Sequence, residues 1–158
     1  MTAPTDTRVP ATEAPQASGT SCQLATFRLD GDLYGVEVEH VQEVLRTQQL
    51  TRVPLAPAAV AGLINLRGQV VTAIELRERL GRPPRPEGED AVVIVVRLHG
   101  EAVSLLVDSI ADVVDVDASD FEAPPDTLEG QARDLIRGAF KLDGQLLLAL
   151  DVQKAVSA

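Results

Sequence analysis

The side chains that most often perform chemistry are scarce in this 158-residue sequence. Its two histidines, His40 and His99, lie outside the His-Glu-x-x-His and His-x-Glu spacings of metal sites. Cys22 is the only cysteine, so this chain can form neither an internal disulfide nor a thiolate metal cluster. A glycine-rich phosphate loop and a Gly-x-Ser-x-Gly nucleophile elbow are also missing. We therefore expect no catalytic residue, no metal and no cofactor.

One acidic stretch could be taken for a calcium loop. Asp115, Asp117 and Ser119 match its first three ligand positions, but Asp120 stands where such a loop needs glycine for a sharp turn. The Pro124-Pro125 pair also interrupts the end of the motif. We interpret the stretch as a solvated strand end, with Asp117 or Ser119 capping a turn.

Composition excludes further classes of function. Lys and Arg total 14 against 24 Asp and Glu, which gives a net charge of -10, and aromatic residues make up only 3% of the chain. An acidic chain with so few rings is unsuited to bind nucleic acid. No apolar run reaches the length of a membrane span, and Met1–Ser21 has no apolar segment of the signal-peptide kind. We expect a cytoplasmic protein without membrane insertion, with a disordered tail over 1–21 and one domain over 22–156.

Three hairpins are predicted from X-Gly pairs that separate apolar segments, because such turns need residues that tolerate positive φ. The expected strand pairs are Ala25–Leu29 with Leu33–Val38, Val92–Leu98 with Ala102–Val107, and Ile136–Leu142 with Gln145–Leu150. Apolar residues at 103, 105 and 107 alternate with their neighbours, which predicts a half-buried strand. A mainly β fold closed into a barrel, or into a pair of barrels, would leave few exposed strand edges.

Helices are expected to be few and short. The spacing of apolar residues predicts helices at Glu39–Arg46 and Ala58–Ile64, one at the Leu76 and Leu80 pair, and a last one that Asp151 caps and that runs to Val156. The polar, proline-rich segment Arg82–Asp90 is the predicted internal linker.

The most informative segment is Gly62–Arg77. Gly62 lies inside a predicted helix, where glycine costs about 1 kcal/mol relative to alanine, and this indicates a close approach of another backbone segment. Arg67 is a single cation between long apolar runs, followed by Gly68. From the residues alone, Arg67 is best explained as a solvated turn residue.

This segment reads Gly-Leu-Ile-Asn-Leu-Arg-Gly-Gln-Val-Val and continues with Ile-Glu-Leu-Arg, which resembles the signature of the CheW family of chemotaxis coupling proteins. The likeness covers about Gln23–Val156, and one departure is Glu75 in place of the family's usual Asp. The resemblance implies a mainly β fold of two packed, five-stranded, SH3-like β-barrels with a few short helices. It also implies a non-catalytic adaptor that couples chemoreceptors to a CheA-type histidine kinase.

The family's contact positions can be transferred to this sequence. The resemblance implies receptor contacts at Glu43, Arg67, Ile110 and Val113, and it implies an effect on kinase attachment at Val41 and Gly62. Arg67 could pair with receptor carboxylates or with Glu43. The valines and isoleucine could equally be core residues.

Two other functions stay open at this point. The chain could be a family member that binds receptors without engaging the kinase. A small-molecule-binding β-barrel is the other alternative, and it would need a deep pocket with convergent polar groups.

Overall fold

The computed structural model describes residues 21–46, 50–86, 88–128 and 130–157. The predicted tail therefore lies outside the described residues, except for Ser21, which already belongs to the first strand.

Eleven strands and three short α-helices lie in these described ranges. The strands are β1 (Ser21–Leu29), β2 (Asp32–Glu37), β3 (Val41–Leu45), β4 (Val60–Leu66), β5 (Gln69–Glu75), β6 (Val92–Leu98), β7 (Glu101–Val107), β8 (Ser109–Asp117), β9 (Phe121–Glu122), β10 (Ile136–Leu142) and β11 (Gln145–Leu150). The helices are α1 (Leu76–Arg79), α2 (Gly130–Leu135) and α3 (Val152–Val156), with 3-10 turns at Val38–His40 and Ala118–Asp120. None of these described helices is long and apolar enough to cross a bilayer.

The strands form two sheets, which confirms the mainly β prediction. The first has six strands in the order β8-β1-β2-β11-β10-β9, and the second has five in the order β3-β6-β7-β5-β4. The five-stranded sheet comes from one continuous part of the chain, whereas the six-stranded sheet combines strands from both ends. A parallel pairing of β2 with β11 joins those two ends. The family resemblance implied two five-stranded barrels, and the first sheet has a sixth strand when the two-residue β9 is counted.

All three predicted hairpins are present, as β1–β2, β6–β7 and β10–β11. In the first two, both turn residues have positive φ: 52° and 88° at Asp30-Gly31, and 51° and 82° at His99-Gly100. Arg67-Gly68, between β4 and β5, has the same conformation, with φ of 54° and 83°. Positive φ at both central residues matches the right-handed twist of the flanking strands.

The helix predicted at Glu39–Arg46 is wrong. Val38–His40 forms a single 3-10 turn, and β3 follows it and pairs antiparallel with β6. The register shifts between Val41 and Glu43, where β3 contains one extra residue. The apparent helical spacing combined residues of two elements: Val38 lies in the 3-10 turn and packs with Val41 on the core between the sheets, whereas Leu45 packs on the cluster of the five-stranded sheet.

The helix predicted at Ala58–Ile64 is also wrong. The chain turns at Ala58 and then forms β4, which pairs with β5. Val60 and Ile64 are four residues apart, a spacing that fits one face of a helix. In β4 the register shifts between Val60 and Gly62, so Val60 packs on the core between the sheets while Ile64 packs on the cluster of the five-stranded sheet. The low helix propensity of Gly62 also favours the strand.

Two predicted helices are confirmed. In α1, the Glu75 side chain accepts a hydrogen bond from the backbone N–H of Arg77, which is an N-cap. In α3, Asp151 accepts from the backbone N–H of Lys154. The guanidinium of Arg79 donates to the carbonyl oxygens of Ala155 and Lys154, so α1 also caps the last turn of α3.

The segment Arg82–Asp90 does not separate the two sheets. Its described residues are irregular, as predicted, but the segment joins α1 to β6 and both flanking strands, β5 and β6, belong to the five-stranded sheet. The chain crosses between sheets after β2 and again between β7 and β8. The proline content of this segment correctly predicts a loop. It does not distinguish a loop within one sheet from a linker between two lobes, because both have the same composition.

The hydrophobic core has three parts. The largest lies between the sheets and combines residues such as Phe27 and Tyr34 with Ile94 and Leu105. A smaller cluster packs in the six-stranded sheet and another in the five-stranded sheet. Strands between two clusters are buried on both faces, so Ser104–Val107 of β7 are all buried and the predicted half-buried strand is wrong there.

The five-stranded sheet is closed by a contact between its two edges. Thr51, a few residues after edge strand β3, exchanges backbone hydrogen bonds of 2.9 and 2.8 Å with Leu63 of the opposite edge strand β4. A Cβ atom added to Gly62 would lie 2.5 Å from the Thr51 carbonyl oxygen. This confirms the predicted close approach and gives the five-stranded lobe its barrel-like closure.

Candidate partner-binding surfaces

Arg67 and Glu43 lie together at the edge of the five-stranded lobe. Arg67 occupies the tip of the β4–β5 turn, where the Asn65 side-chain oxygen accepts a 3.0 Å hydrogen bond from the backbone N–H of Gly68. Its Nη2 atom lies 3.0 Å from Oε2 of Glu43, and the side chains are 82% and 18% exposed. Of the alternatives open from sequence, the pairing with Glu43 is present in the structure. The arginine also keeps most of its surface available to a partner.

Ile110 and Val113 lie on β8, the edge strand of the six-stranded sheet, and are 44% and 57% exposed. The register shifts between their partners in β1, so β8 carries one extra residue here. This bulge turns both side chains outward, while Ala111 and Val114 pack on the core of the six-stranded sheet. The structure therefore places these two predicted contact residues at the surface, on a different sheet from Arg67 and Glu43.

The other two predicted residues are less accessible. Val41 is half-buried and packs against the core between the sheets. Gly62 is buried against Thr51. Neither presents a free side chain, so an effect of either position on a partner would act through the backbone and side chains that lie over it.

Several exposed apolar residues of the five-stranded lobe were missed from sequence. Val44, Leu50, Val53, Leu55 and Val70 have large apolar side chains in contact with solvent, and we call them the apolar patch. Val70 and Val71 are consecutive in a strand and therefore lie on opposite faces; Val71 is buried and Val70 is exposed. The exposure of Val44 follows from β3 being a strand and not the helix that the apolar spacing predicts.

A network of ion pairs joins the two sheets and was also missed. Arg77, in α1, donates from Nε and Nη2 to the two carboxylate oxygens of Asp108 at 2.9 and 2.5 Å, and its side chain is only 7% exposed. Arg85 donates to Asp108 at 3.2 Å and to Glu75 at 3.0 and 3.1 Å. Burial acts to raise the pKa of Asp108, but the hydrogen bonds from Arg77 and from the Asp30 backbone, together with the charges of Arg77 and Arg85, hold this pKa below its ordinary value.

Arg82 extends this network to the β1–β2 turn. Its guanidinium lies 3.4 Å from Asp30, pairs with Asp32 and donates to the Tyr34 hydroxyl at 3.1 Å. Burial raises the pKa of Tyr34 although Arg82 opposes the shift. The network therefore connects α1 and the following loop, on the five-stranded side, to the first hairpin of the six-stranded sheet.

Both histidines, together with Glu37 and Asp151, line one cleft of the described residues. The cleft of about 480 Å³ that contains both histidines is open to solvent. Glu37, Glu39 and His40 have ligand atoms within 4.8 Å of one another, but Arg137 already pairs with Glu37 at 3.0 Å. Burial, followed by the charge of Glu37, raises the pKa of the Cys22 thiol, which disfavours a nucleophilic thiolate.

The acidic stretch after β8 forms a turn. Asp117 accepts a 2.9 Å hydrogen bond from the backbone N–H of Ser119, and this bond lowers the pKa of Asp117. The predicted capping role of Asp117 is confirmed.

Comparison with known proteins gives one consistent result. The family described as "CheW-like domain" matches residues 23–158. The chain is 30% identical to "Chemotaxis protein CheW" of Treponema pallidum over 140 residues, 86% of this chain and 82% of that protein. It is also 30% identical to "Chemotaxis protein CheW" of Bacillus subtilis over 129 residues, 82% and 83% of the two chains. The crystal structure of the scaffolding protein TtCheW from Thermoanaerobacter tengcongensis aligns with a TM-score of 0.73 at 29% identity, covering 82% of this chain and 88% of that one.

Proposed function

This chain belongs to the CheW-like family of chemotaxis scaffold proteins, and on that basis we propose that it couples chemoreceptors to a CheA-type histidine kinase. A coupler must hold two partners at once, and therefore needs two separate surfaces. The observation that carries the proposal is that exposed apolar side chains occur on both lobes, on β8 and in the apolar patch. Exposed apolar groups rimmed by polar residues are typical of surfaces that another protein covers.

The receptor contacts are proposed for Ile110 and Val113 together with Arg67 and Glu43. The two apolar side chains offer contact area to helices of a receptor tip, and Arg67 offers a guanidinium that is 82% exposed despite its bond to Glu43. Arginine at the rim of an interface contributes mainly to orientation and specificity. A helical hairpin that lies between the lobes would contact both groups.

The kinase contacts are proposed for the apolar patch. Val41 and Gly62, to which the family resemblance assigns an effect on kinase attachment, lie near members of the patch along the chain: Val41 precedes Val44 in β3, and Gly62 packs against Thr51, which follows Leu50. A substitution at Gly62 would displace the Thr51 segment and so move part of the patch. This accounts for a role in kinase attachment without any direct contact.

The proposed role requires no reaction on this chain and no cofactor. The chain would work in the cytoplasm, where the receptor tips and the kinase meet. The support for a role without chemistry is the description of the structural relative TtCheW as a scaffolding protein.

Two separate binding measurements test the proposal. The purified chain is titrated by calorimetry with the regulatory domain of the kinase from the same genome, and then with a cytoplasmic receptor fragment. Binding to both partners is expected. Receptor binding without kinase binding would instead identify a family member that binds receptors only. If the chain binds neither partner, the adaptor role is refuted and a small-molecule-binding β-barrel becomes the favoured alternative.

A further inference from the structure

The chain passes from the five-stranded sheet to the six-stranded sheet through one residue. β7 ends at Val107, β8 begins at Ser109, and only Asp108 lies between them. The position of β8 relative to the five-stranded sheet therefore depends on how Asp108 is held.

Asp108 is held from both sheets. Its carboxylate accepts two hydrogen bonds from Arg77 of α1 and one from Arg85, both on the five-stranded side. It also accepts one from the backbone N–H of Asp30, in the first hairpin of the six-stranded sheet, at 2.8 Å. The backbone N–H of Asp108 donates to the Arg28 carbonyl at 3.1 Å. Five hydrogen bonds thus fix this single crossing residue.

Arg77 is itself immobilised by its surroundings. Beyond its paired donors to Asp108, Nη1 donates to the Pro83 carbonyl at 2.8 Å and lies 3.9 Å from an Asp30 oxygen. The hydrogen bonds to Asp108 raise the pKa of Arg77 above its ordinary value, although burial opposes them. A two-donor guanidinium fixes both the distance and the plane of the carboxylate, which one lysine amine would not do.

We propose that Asp108, held by Arg77, is a positioning residue for β8. Ile110 lies two residues beyond Asp108 and Val113 five, so the pinned crossing sets where these two side chains lie relative to the apolar patch. The ion pair thereby keeps the proposed receptor and kinase surfaces in one mutual orientation. The identity of the partners rests on the proposed function; the positioning of β8 does not.

The test uses Asp108→Asn, which keeps the shape of the side chain and removes its charge. Arg77→Lys is the second variant, since it keeps the charge but removes the two-donor geometry. The matched control is Arg82→Gln, which breaks the neighbouring ion pairs with Asp30 and Asp32 and leaves Asp108 untouched. All variants are compared at conditions where circular dichroism shows them equally folded.

The first readout is affinity for each partner separately. Asp108→Asn is expected to weaken binding of the receptor fragment about tenfold, because a displacement of about 1 Å at a contact surface is costly. Arg77→Lys is expected to weaken receptor binding less than Asp108→Asn does. Arg82→Gln is expected to leave the receptor affinity within about twofold of wild type. Kinase binding is expected to stay unchanged in all three variants. Equal receptor affinity in Asp108→Asn and Arg82→Gln would overturn the proposal.

The second readout needs no partner. Nitroxide labels at Asp115→Cys on β8 and Gln69→Cys on β5, in a Cys22→Ser background, report the distance between the sheets by pulsed electron resonance. Both labelled positions are exposed, and Cys22 is the only native cysteine. Asp108→Asn is expected to broaden the distance distribution and Arg82→Gln to leave it as in wild type. An unchanged distribution in Asp108→Asn would overturn the positioning role, whereas wild-type protein that fails to bind receptor would refute only the proposed function.

Discussion

Arg67 and Glu43 form an ion pair of 3.0 Å, although Glu43 lies on β3 and Arg67 follows β4, the strand at the opposite edge of the five-stranded sheet. The sheet must curl to bring its edges this close, and the Thr51–Leu63 backbone pairing achieves the same closure nearby. The pair therefore reports on barrel closure, while its exposed guanidinium remains free to meet a partner.

Reversal of charge at Arg67 is expected to affect binding far more than stability. Arg67→Glu should change the free energy of unfolding by less than about 1 kcal/mol, since exposed ion pairs contribute little. It should weaken binding of the receptor fragment about tenfold, because a carboxylate at this turn repels Glu43 and acidic groups of the partner. Calorimetric titration and urea denaturation measure the two effects.

The control for this charge reversal is Lys141→Glu, which makes the same change at an exposed pair with Glu122 on the other sheet. A charge swap, Glu43→Arg with Arg67→Glu, separates two roles of the arginine. Recovery of binding in the swap would show that the pair itself matters, and continued loss would show direct contact between Arg67 and the partner. Wild-type affinity in Arg67→Glu would contradict both.

Gly62→Ala is expected to destabilise the protein by about 2 kcal/mol or more. The new Cβ would lie 2.5 Å from the Thr51 carbonyl oxygen, so the Thr51–Leu63 pairing must open. Gly68→Ala is the matched control: it also has positive φ, but its Cβ meets nothing within 4 Å, and about 1 kcal/mol is expected. The urea midpoints of the two variants and the hydrogen-exchange rate of the Leu63 amide measure these effects. Equal losses of stability in the two variants would contradict the close-approach explanation.

Ser104→Ala is expected to stabilise the protein by about 1 kcal/mol. The Ser104 hydroxyl is fully buried in β7 and has no hydrogen-bond partner among the described residues. Thr26→Val is the contrasting variant, because the equally buried Thr26 hydroxyl donates to the Asp112 carbonyl and its removal leaves that acceptor unpaired. Thermal unfolding should show shifts of opposite sign, and a loss of stability in Ser104→Ala would show that the hydroxyl is satisfied in solution.

Local signals predicted the hairpins and the caps. Asp30-Gly31 and His99-Gly100 were predicted as turns because few residue pairs tolerate positive φ. Asp151 was predicted as a helix cap because a carboxylate just before a helix accepts hydrogen bonds from its first N–H groups. These features depend only on residues a few positions apart. The family motif around Arg67 likewise lies in one continuous segment.

Features that depend on distant residues were mostly out of reach of local signals. Arg77 and Asp108 are 31 positions apart, and nothing in the composition of either segment names its partner. The pairing of Arg67 with Glu43, 24 positions away, was open from sequence only as one of two alternatives, and it depended on the family resemblance. The bulges in β3 and β8 were equally hidden, since one extra residue shifts the register against the neighbouring strand and, in β8, turns two apolar side chains outward. Both arise from pairing with another strand.

Stability is expected to fall in acid, partly through Asp108. The pKa of this carboxyl is lowered in the folded protein, so the folded state holds its charged form more strongly than the unfolded state does. This contribution is complete above the unfolded pKa of about 3.9 and is lost as pH falls through the lower folded value. Urea unfolding of wild type and Asp108→Asn between pH 7 and pH 2 checks it. The difference between the two proteins should be constant near neutrality and shrink below about pH 4, and a difference independent of pH would contradict the assignment.

The parallel pairing of β2 with β11 has a consequence for synthesis of the chain. The middle lobe, β3 to β7, is complete once Val107 has left the ribosome, but β2 must wait for Leu147–Ala149 before it gains its second neighbour. The amino-terminal hairpin therefore emerges first and is completed last. A premature stop codon after β8 would therefore yield a complete five-stranded sheet attached to an incomplete six-stranded sheet.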